Sequence, residues 1–160
     1  MITACVLTLS DKGARGERKD EAGPVIEELL GRIGAAAAHY EVLPDEKELI
    51  KEKLVEYSGK VDVILTTGGT GLSPRDVTPD ATLEVIEREV PGIAEAMRAE
   101  GMRKTPRSML SRAVAGVRGR TLIINLPGSP RAVRENLEAV LDVIPHAVEK
   151  IRGSEKECAR

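Results

Sequence analysis

Apolar positions along this chain switch between two rhythms. Four short stretches, Ile2–Leu9 and residues 37–43, 61–66 and 121–126, read as strands buried on both faces. After Asp20 the spacing changes. Val25, Ile26, Leu29, Leu30 and Ile33 recur at helical intervals with Pro24 near the start, and Ile50, Leu54 and Tyr57 repeat that pattern after Asp45. Thr78 and Pro79 read as the N-cap and first-turn residue of a helix running through Leu83, Ile86 and Val90. Pro91 and Gly92 interrupt it, and a helical pattern resumes over residues 93–102. Residues 113–118, followed by Gly119, predict a short strand that turns back into 121–126 as an antiparallel hairpin. Ser129 and Pro130 open a last helix whose apolar face is Val133, Leu137, Leu141, Ile144, Val148 and Ile151, with a kink at Pro145.

Strand and helix therefore alternate, which predicts an α/β fold: a three-layer α/β/α sandwich with a mostly parallel sheet and an antiparallel edge hairpin. No linker or low-complexity stretch divides residues 1–160, so one domain is expected. In a parallel sheet the carboxyl ends of the strands lie along one edge, and ligands bind in the crevice there. The loops at that edge begin Ser10-Asp11-Lys12, Pro44-Asp45-Glu46, Thr67-Gly68-Gly69-Thr70-Gly71 and Pro127-Gly128-Ser129. Each is polar or glycine-bearing, whereas loops at the opposite edge, such as 31–34 and 58–60, read as simple helix stops. One shared cleft is predicted.

The loop after the third strand carries the strongest chemical signal. Gly68, Gly69 and Gly71 allow positive φ angles and close approach of backbone to a ligand, so amide hydrogens can gather on phosphate oxygens. It is neither of the familiar phosphate loops. Gly71 is followed by Leu72 and Ser73 rather than by Lys and Ser or Thr, and Pro74 stands where a dinucleotide fingerprint needs a small residue. Asp76 lies in the same loop, and a carboxylate beside a phosphate calls for a hard cation such as Mg²⁺ between them. Nucleotide chemistry is the leading expectation.

Other residues at the rim have conformational readings beside the functional ones. Asp76 suits an Asx turn, and Asp45 suits an N-cap for a helix over 46–57. Ser10 and Asp11 suit bonds to their own loop amides, and Pro127 and Gly128 suit a turn. Gly128 also permits close backbone approach to an anion at the following helix. Ser111 and Arg112 form either a polar turn or a phosphate contact through the guanidinium fork. His39 and His146 lie outside these loops and read as structural or surface residues.

Composition narrows the partners. Among 160 residues, 24 Lys and Arg nearly balance 26 Asp and Glu, so the chain lacks the basic stripe of a nucleic-acid binder. Tyr40 and Tyr57 are the only aromatic rings, too few for a base-stacking platform. Cys5 and Cys158 form no CxxC pair, so structural zinc is not expected. No apolar run approaches the ~20 residues that span a bilayer and no basic leader precedes Ile2, so the expected location is the cytoplasm.

The segments LTLSDKG, LPDE, TTGGTGLSPRDVTPDAT, MLSR and INLPGSP occur in this order over nearly the whole chain, and at these residues it resembles the molybdopterin adenylyltransferase family, the MogA/MoaB-type enzymes of molybdenum cofactor assembly. The resemblance implies transfer of AMP from Mg·ATP to the terminal phosphate of molybdopterin, with release of pyrophosphate. It implies that Asp45 and Asp76 are the catalytic acids and hold Mg²⁺. Gly68, Gly69, Thr70 and Gly71 would then cradle a phosphate, with Ser10, Asp11, Thr67, Ser111, Arg112, Pro127 and Gly128 lining the nucleotide and pterin sides. The SDK run carries Lys12 where members of that family often carry Arg. The resemblance further implies a homotrimer or hexamer and hand-over of product to a molybdenum-insertion enzyme. A molybdopterin-binding carrier module without catalysis is the alternative reading, and the insertion class itself normally embeds a similar domain in a longer chain.

Overall fold

The computed structural model describes residues 1–158. In chain order its elements are β1 (Ile2–Leu9), α1 (Asp11–Ala14), α2 (Ala22–Arg32), β2 (Ala35–Leu43), α3 (Lys47–Tyr57), β3 (Val63–Thr67), α4 (Thr78–Val85), β4 (Arg88–Glu89), α5 (Pro91–Met102), β5 (Ala115–Arg118), β6 (Thr121–Leu126), α6 (Pro130–Val140) and α7 (Ile144–Ile151). Short 3₁₀ turns at Pro106–Leu110 and Leu141–Val143 join neighbouring elements. Among the described residues no helix is long and apolar enough to cross a membrane.

The sheet has six strands in the order β2-β1-β3-β6-β5-β4. The first four are parallel, and β5 and β4 are antiparallel to their neighbours. Because side chains alternate across a strand, β1 feeds two cores. Ala4 and Val6 join Ile26, Leu29 and Leu30 of α2, Met97 of α5, Val133 and Leu137 of α6 and Ile144 of α7 on one face. Cys5 and Leu7 join Ile50 and Leu54 of α3 and Ala81 and Val85 of α4 on the other. This is the expected three-layer sandwich with its antiparallel edge.

Three local expectations are corrected. Residues 37–43 do not form a doubly buried strand: β2 starts at Ala35 and is an edge strand paired only with β1, which leaves Ala36, Ala38, His39 and Tyr40 exposed. His39 instead stacks on Tyr57 of α3, with ring centroids 4.8 Å apart. The helix after Thr78 stops at Val85, because the chain beyond it hydrogen-bonds to β5: Glu87 N–H donates to Val117 O at 2.9 Å and Val90 N–H to Ala115 O at 2.8 Å. Ile86 then packs over Gly116, where a β-carbon would lie only 2.5 Å from its Cδ1. The last helix is not kinked but divided, with Pro145 in the first turn of α7, where its missing N–H costs nothing.

Candidate active site

The chain order reverses direction between β1 and β3, and the carboxyl ends of the parallel strands open there into a cleft of about 520 Å³. Ser10 reaches it from the end of β1, Asp45 from β2, Thr67, Gly68 and Gly69 from β3, and Gly128 from β6. Asp76 enters from the loop between β3 and α4. Seven of the residues singled out in the sequence thus border one cavity.

Glycine is required at the base of this cleft. Gly68 and Gly69 have φ of 97° and 67°, in the left-handed region. A β-carbon on Gly68 would run into the carbonyl oxygen of Leu9, and one on Gly69 into the Thr78 hydroxyl. Gly68 N–H donates to Leu126 O at 3.1 Å, so this residue is wedged between the ends of β1 and β6. The Thr67 hydroxyl donates to Pro127 O at 2.6 Å and ties the β3 turn to the β6 turn. Gly71 differs from the expectation. Its φ is not positive; its lack of a side chain makes room for the Asp76 carboxylate, which a β-carbon would meet at 2.9 Å.

The acids are held differently. Asp76 Oδ2 accepts from Ser73 N–H at 3.0 Å, closing an Asx-type turn. Asp45 is not the cap of α3, whose N-cap is Glu46 without a side-chain bond. Its Oδ2 accepts from Asp11 N–H at 3.0 Å instead, while Asp45 N–H donates to Asp11 Oδ1 at 2.9 Å. Arg75 grips both Asp11 oxygens, through Nε at 3.0 Å and Nη2 at 2.8 Å. Burial pushes the Asp45 carboxyl above its ordinary pKa, and the Asp11 and Asp76 charges add to that, against the Asp11 N–H bond and Arg75. The Arg75 bonds and the Asp45 N–H hold Asp11 below its ordinary value.

No group of three or more His, Cys, Asp or Glu side chains among the described residues forms an all-protein metal cage. The donor set is two carboxylates at one cleft, each with one oxygen, Asp45 Oδ1 and Asp76 Oδ1, that accepts from no donor among the described residues. Such a pair fits Mg²⁺, which takes one or two carboxylates and completes its shell with phosphate oxygens and water.

The remaining sequence candidates do not border this cleft. Asp11 faces a separate depression beside Arg75 and Glu46. Thr70, Gly71, Ser111 and Pro127 border a second groove of about 270 Å³, between the 3₁₀ turn at Pro106–Leu110 and α6. The Arg112 fork bonds Asp80, at 3.1 Å from both Nη1 and Nη2, and its Nε and Nη2 also donate to Gly71 O and Asp76 O. Conversely, Thr8, Arg18, Lys19, Asp20 and Glu21 border the cleft without having been singled out. Asp20 accepts from Thr8 Oγ1 at 2.8 Å, from the Tyr40 hydroxyl, and from the amides of Ala22 and Gly23 at the start of α2. Its place just before a helix was the one local signal, and it reads equally as a cap. Arg18 and Lys19 had none, since charges in a loop are usually solvated.

Comparison with known proteins gives the family. Residues 5–146 match the family model described as a probable molybdopterin binding domain. A curated protein of Helicobacter pylori strain J99, named molybdopterin adenylyltransferase, is 41% identical over 153 residues, 93% of this chain and 87% of its own. The molybdopterin adenylyltransferase of Escherichia coli K12 is 36% identical over 172 aligned residues, covering 96% of this chain and 87% of its own. The crystal structure of the molybdopterin biosynthesis enzyme MoaB from Thermus thermophilus superposes with a TM-score of 0.90 at 55% identity, covering 96% of this chain and 98% of that one. With the domain match spanning most of the chain and the fold in agreement, this protein belongs to the molybdopterin-binding domain family of molybdenum cofactor biosynthesis.

Proposed function

We propose that the protein is a molybdopterin adenylyltransferase that transfers AMP from ATP to the terminal phosphate of molybdopterin, giving adenylylated molybdopterin and pyrophosphate. The observation that carries the reading is the meeting of Asp45 and Asp76 with the Gly68–Gly69 turn at one cleft, in a chain of this family. The nucleophile is a phosphate-monoester oxygen, already anionic near neutral pH. As it bonds to the α-phosphorus of ATP, the bond from that phosphorus to the bridging oxygen breaks and pyrophosphate leaves with the electron pair. Little base catalysis is needed, so the protein's task is to bring two mutually repelling anions into line.

Asp45 and Asp76 would hold Mg²⁺, which when bound supplies neutralisation of charge on the triphosphate and the departing pyrophosphate. Burial leaves the Asp45 carboxylate short of solvent, and a cation beside it restores the balance. The glycine turn contributes backbone amides to a phosphate group, and Ser10, Thr67 and Gly128 shape the walls around it. Arg18 and Lys19 add positive charge at the rim. Asp11, Gly71, Pro127, Ser111 and Arg112 act from the surrounding loops.

The test is direct. Purified protein given ATP, Mg²⁺ and molybdopterin is expected to release pyrophosphate only when molybdopterin is present. Tight binding of molybdopterin with no pyrophosphate formed would leave a binding module and overturn the reading. Assembly as a homotrimer or hexamer and hand-over to a molybdenum-insertion enzyme belong to the same proposal; sedimentation at about the mass of one 17.2 kDa chain would remove the first of them.

A further inference from the structure

The turn after β3 has a one-sided pattern of hydrogen bonds. Its four successive carbonyl oxygens are all taken by two residues. Thr78 donates its hydroxyl to Gly68 O at 3.0 Å and its backbone N–H to Gly69 O at 3.2 Å. Arg112 donates its backbone N–H to Thr70 O at 2.8 Å and its Nε to Gly71 O at 2.9 Å. The amides of Gly69, Thr70 and Gly71 donate to no acceptor among the described residues. These facts are linked by covalent geometry. A carbonyl and the N–H of the next residue lie in one plane and point in opposite directions, so fixing an oxygen on one side aims the following amide at the other. Anchoring the oxygens of residues 68, 69 and 70 orients the amides of residues 69, 70 and 71.

Both anchors are themselves fastened. Thr78 is 0% exposed, and its carbonyl accepts from the Thr82 hydroxyl at 2.8 Å. The Thr82 hydroxyl in turn accepts from Asn125 Nδ2 of β6 at 3.0 Å. Arg112 is braced by its fork on Asp80, so both anchors are secured to α4. We propose that Thr78 and Arg112 are positioning residues for phosphate binding, holding the carbonyls of the turn aside so that its amides are left to an anion lying where the Gly68–Gly69 cleft passes into the groove bordered by Thr70 and Gly71. Neither side chain need touch substrate. The inference rests on the nucleotidyl-transfer reading above, and the ligand is a phosphate group, either of the ATP triphosphate or of the molybdopterin monoester.

Thr78→Val removes the hydroxyl donor and keeps the shape, whereas Thr78→Ser keeps the donor. In Thr78→Val the KM of one substrate is expected to rise about tenfold, the order expected for one lost anchoring bond, with the other KM little changed and the melting temperature lowered by only a few degrees. A rise for ATP alone assigns the triphosphate to the turn, and a rise for molybdopterin alone assigns the monoester. Thr78→Ser is expected to restore the wild-type value. Unchanged KM values in Thr78→Val, equal impairment in both variants, or a uniform loss of both KM values and kcat with a lowered melting temperature would overturn the proposal. Should Thr78→Val fail to fold, the more exposed Arg112→Lys, which keeps the charge but loses Nε, carries the same expectation for the KM values, with a lowered melting temperature from the lost fork on Asp80. If the wild type releases no pyrophosphate, the transfer reading falls by itself; the anchoring is then decided by calorimetric titration with ATP and with molybdopterin, where equal affinities of wild type and Thr78→Val reject it.

Discussion

Asp11 and Asp45 hydrogen-bond to each other's backbone in both directions, N–H to Oδ2 at 3.0 Å one way and N–H to Oδ1 at 2.9 Å the other. This reciprocal pair joins the loop after β1 to the loop after β2, and Arg75 adds the loop before α4 by gripping Asp11. A residue that faces its own depression beside the cleft thereby holds one that borders it. Asp11→Ala is expected to lower AMP transfer by roughly ten- to a hundredfold, the cost of misplacing a group at the reacting centre. Initial rates at saturating ATP and molybdopterin check this, and wild-type rates would show that Asp45 is oriented without its partner.

Asp76→Asn preserves size and an oxygen for the Ser73 N–H, but removes the charge a hard cation requires. AMP transfer should fall about a hundredfold or more while molybdopterin binding changes little. Titration of molybdopterin beside pyrophosphate release separates the two. Unaltered turnover at saturating ligands would reject the metal role of this carboxylate.

Gly68→Ala places a methyl group against the Leu9 carbonyl at a φ of 97°. Left-handed backbone and the clash together should cost at least about 2 kcal/mol and lower the melting temperature by roughly 4–8 °C, alongside loss of activity. Thermal unfolding measures it. A shift within about 1 °C would mean that the ends of β1 and β3 can separate without strain.

The pH dependence of stability should carry the mark of Asp80. The Arg112 fork holds its carboxyl below the ordinary pKa, so the charged form is favoured in the folded state. A depressed folded pKa stabilises the protein above the unfolded value, about 3.9, and the contribution is lost as pH falls through the folded value. Wild type should therefore exceed Asp80→Asn in urea midpoint at pH 6, and the difference should shrink below about pH 4. A gap that stays constant down to pH 3 would show that the pair's contribution is not ionic.

Much of this architecture was readable from the chain because the relevant signals are local. The cores of β1, β3 and β6 are short aliphatic runs rich in β-branched residues, which favours a buried strand over a helix, and α6 repeats Val133, Leu137 and Val140 on one face. The end of α4 was not readable. Ile86 and Val90 fit a helical period, yet Ile86 is used over Gly116 and the backbone there completes the sheet edge, a choice that depends on β5 some 30 residues later. Asp45 shows the same limit. Its position before α3 suits a cap, and only the nearness of Asp11 gives its oxygen a different donor.

The sequence alone determined the alternation of elements, the edge of the sheet where the polar loops collect, and the glycine-bearing turn after β3, since each follows from periodicity or from what a side chain forbids; that Gly68 and Gly69, and not Gly71, take the left-handed conformation came from the structure. The tertiary structure decided which members of those loops share a cavity. It turned Asp11 and Arg112 toward other loops and brought Arg18, Lys19 and Asp20 to the rim. Partners for hydrogen bonds and ion pairs are chosen by distance across strands β1, β2, β3 and β6, and separations of that kind are set by the packed sheet rather than by neighbours in the chain.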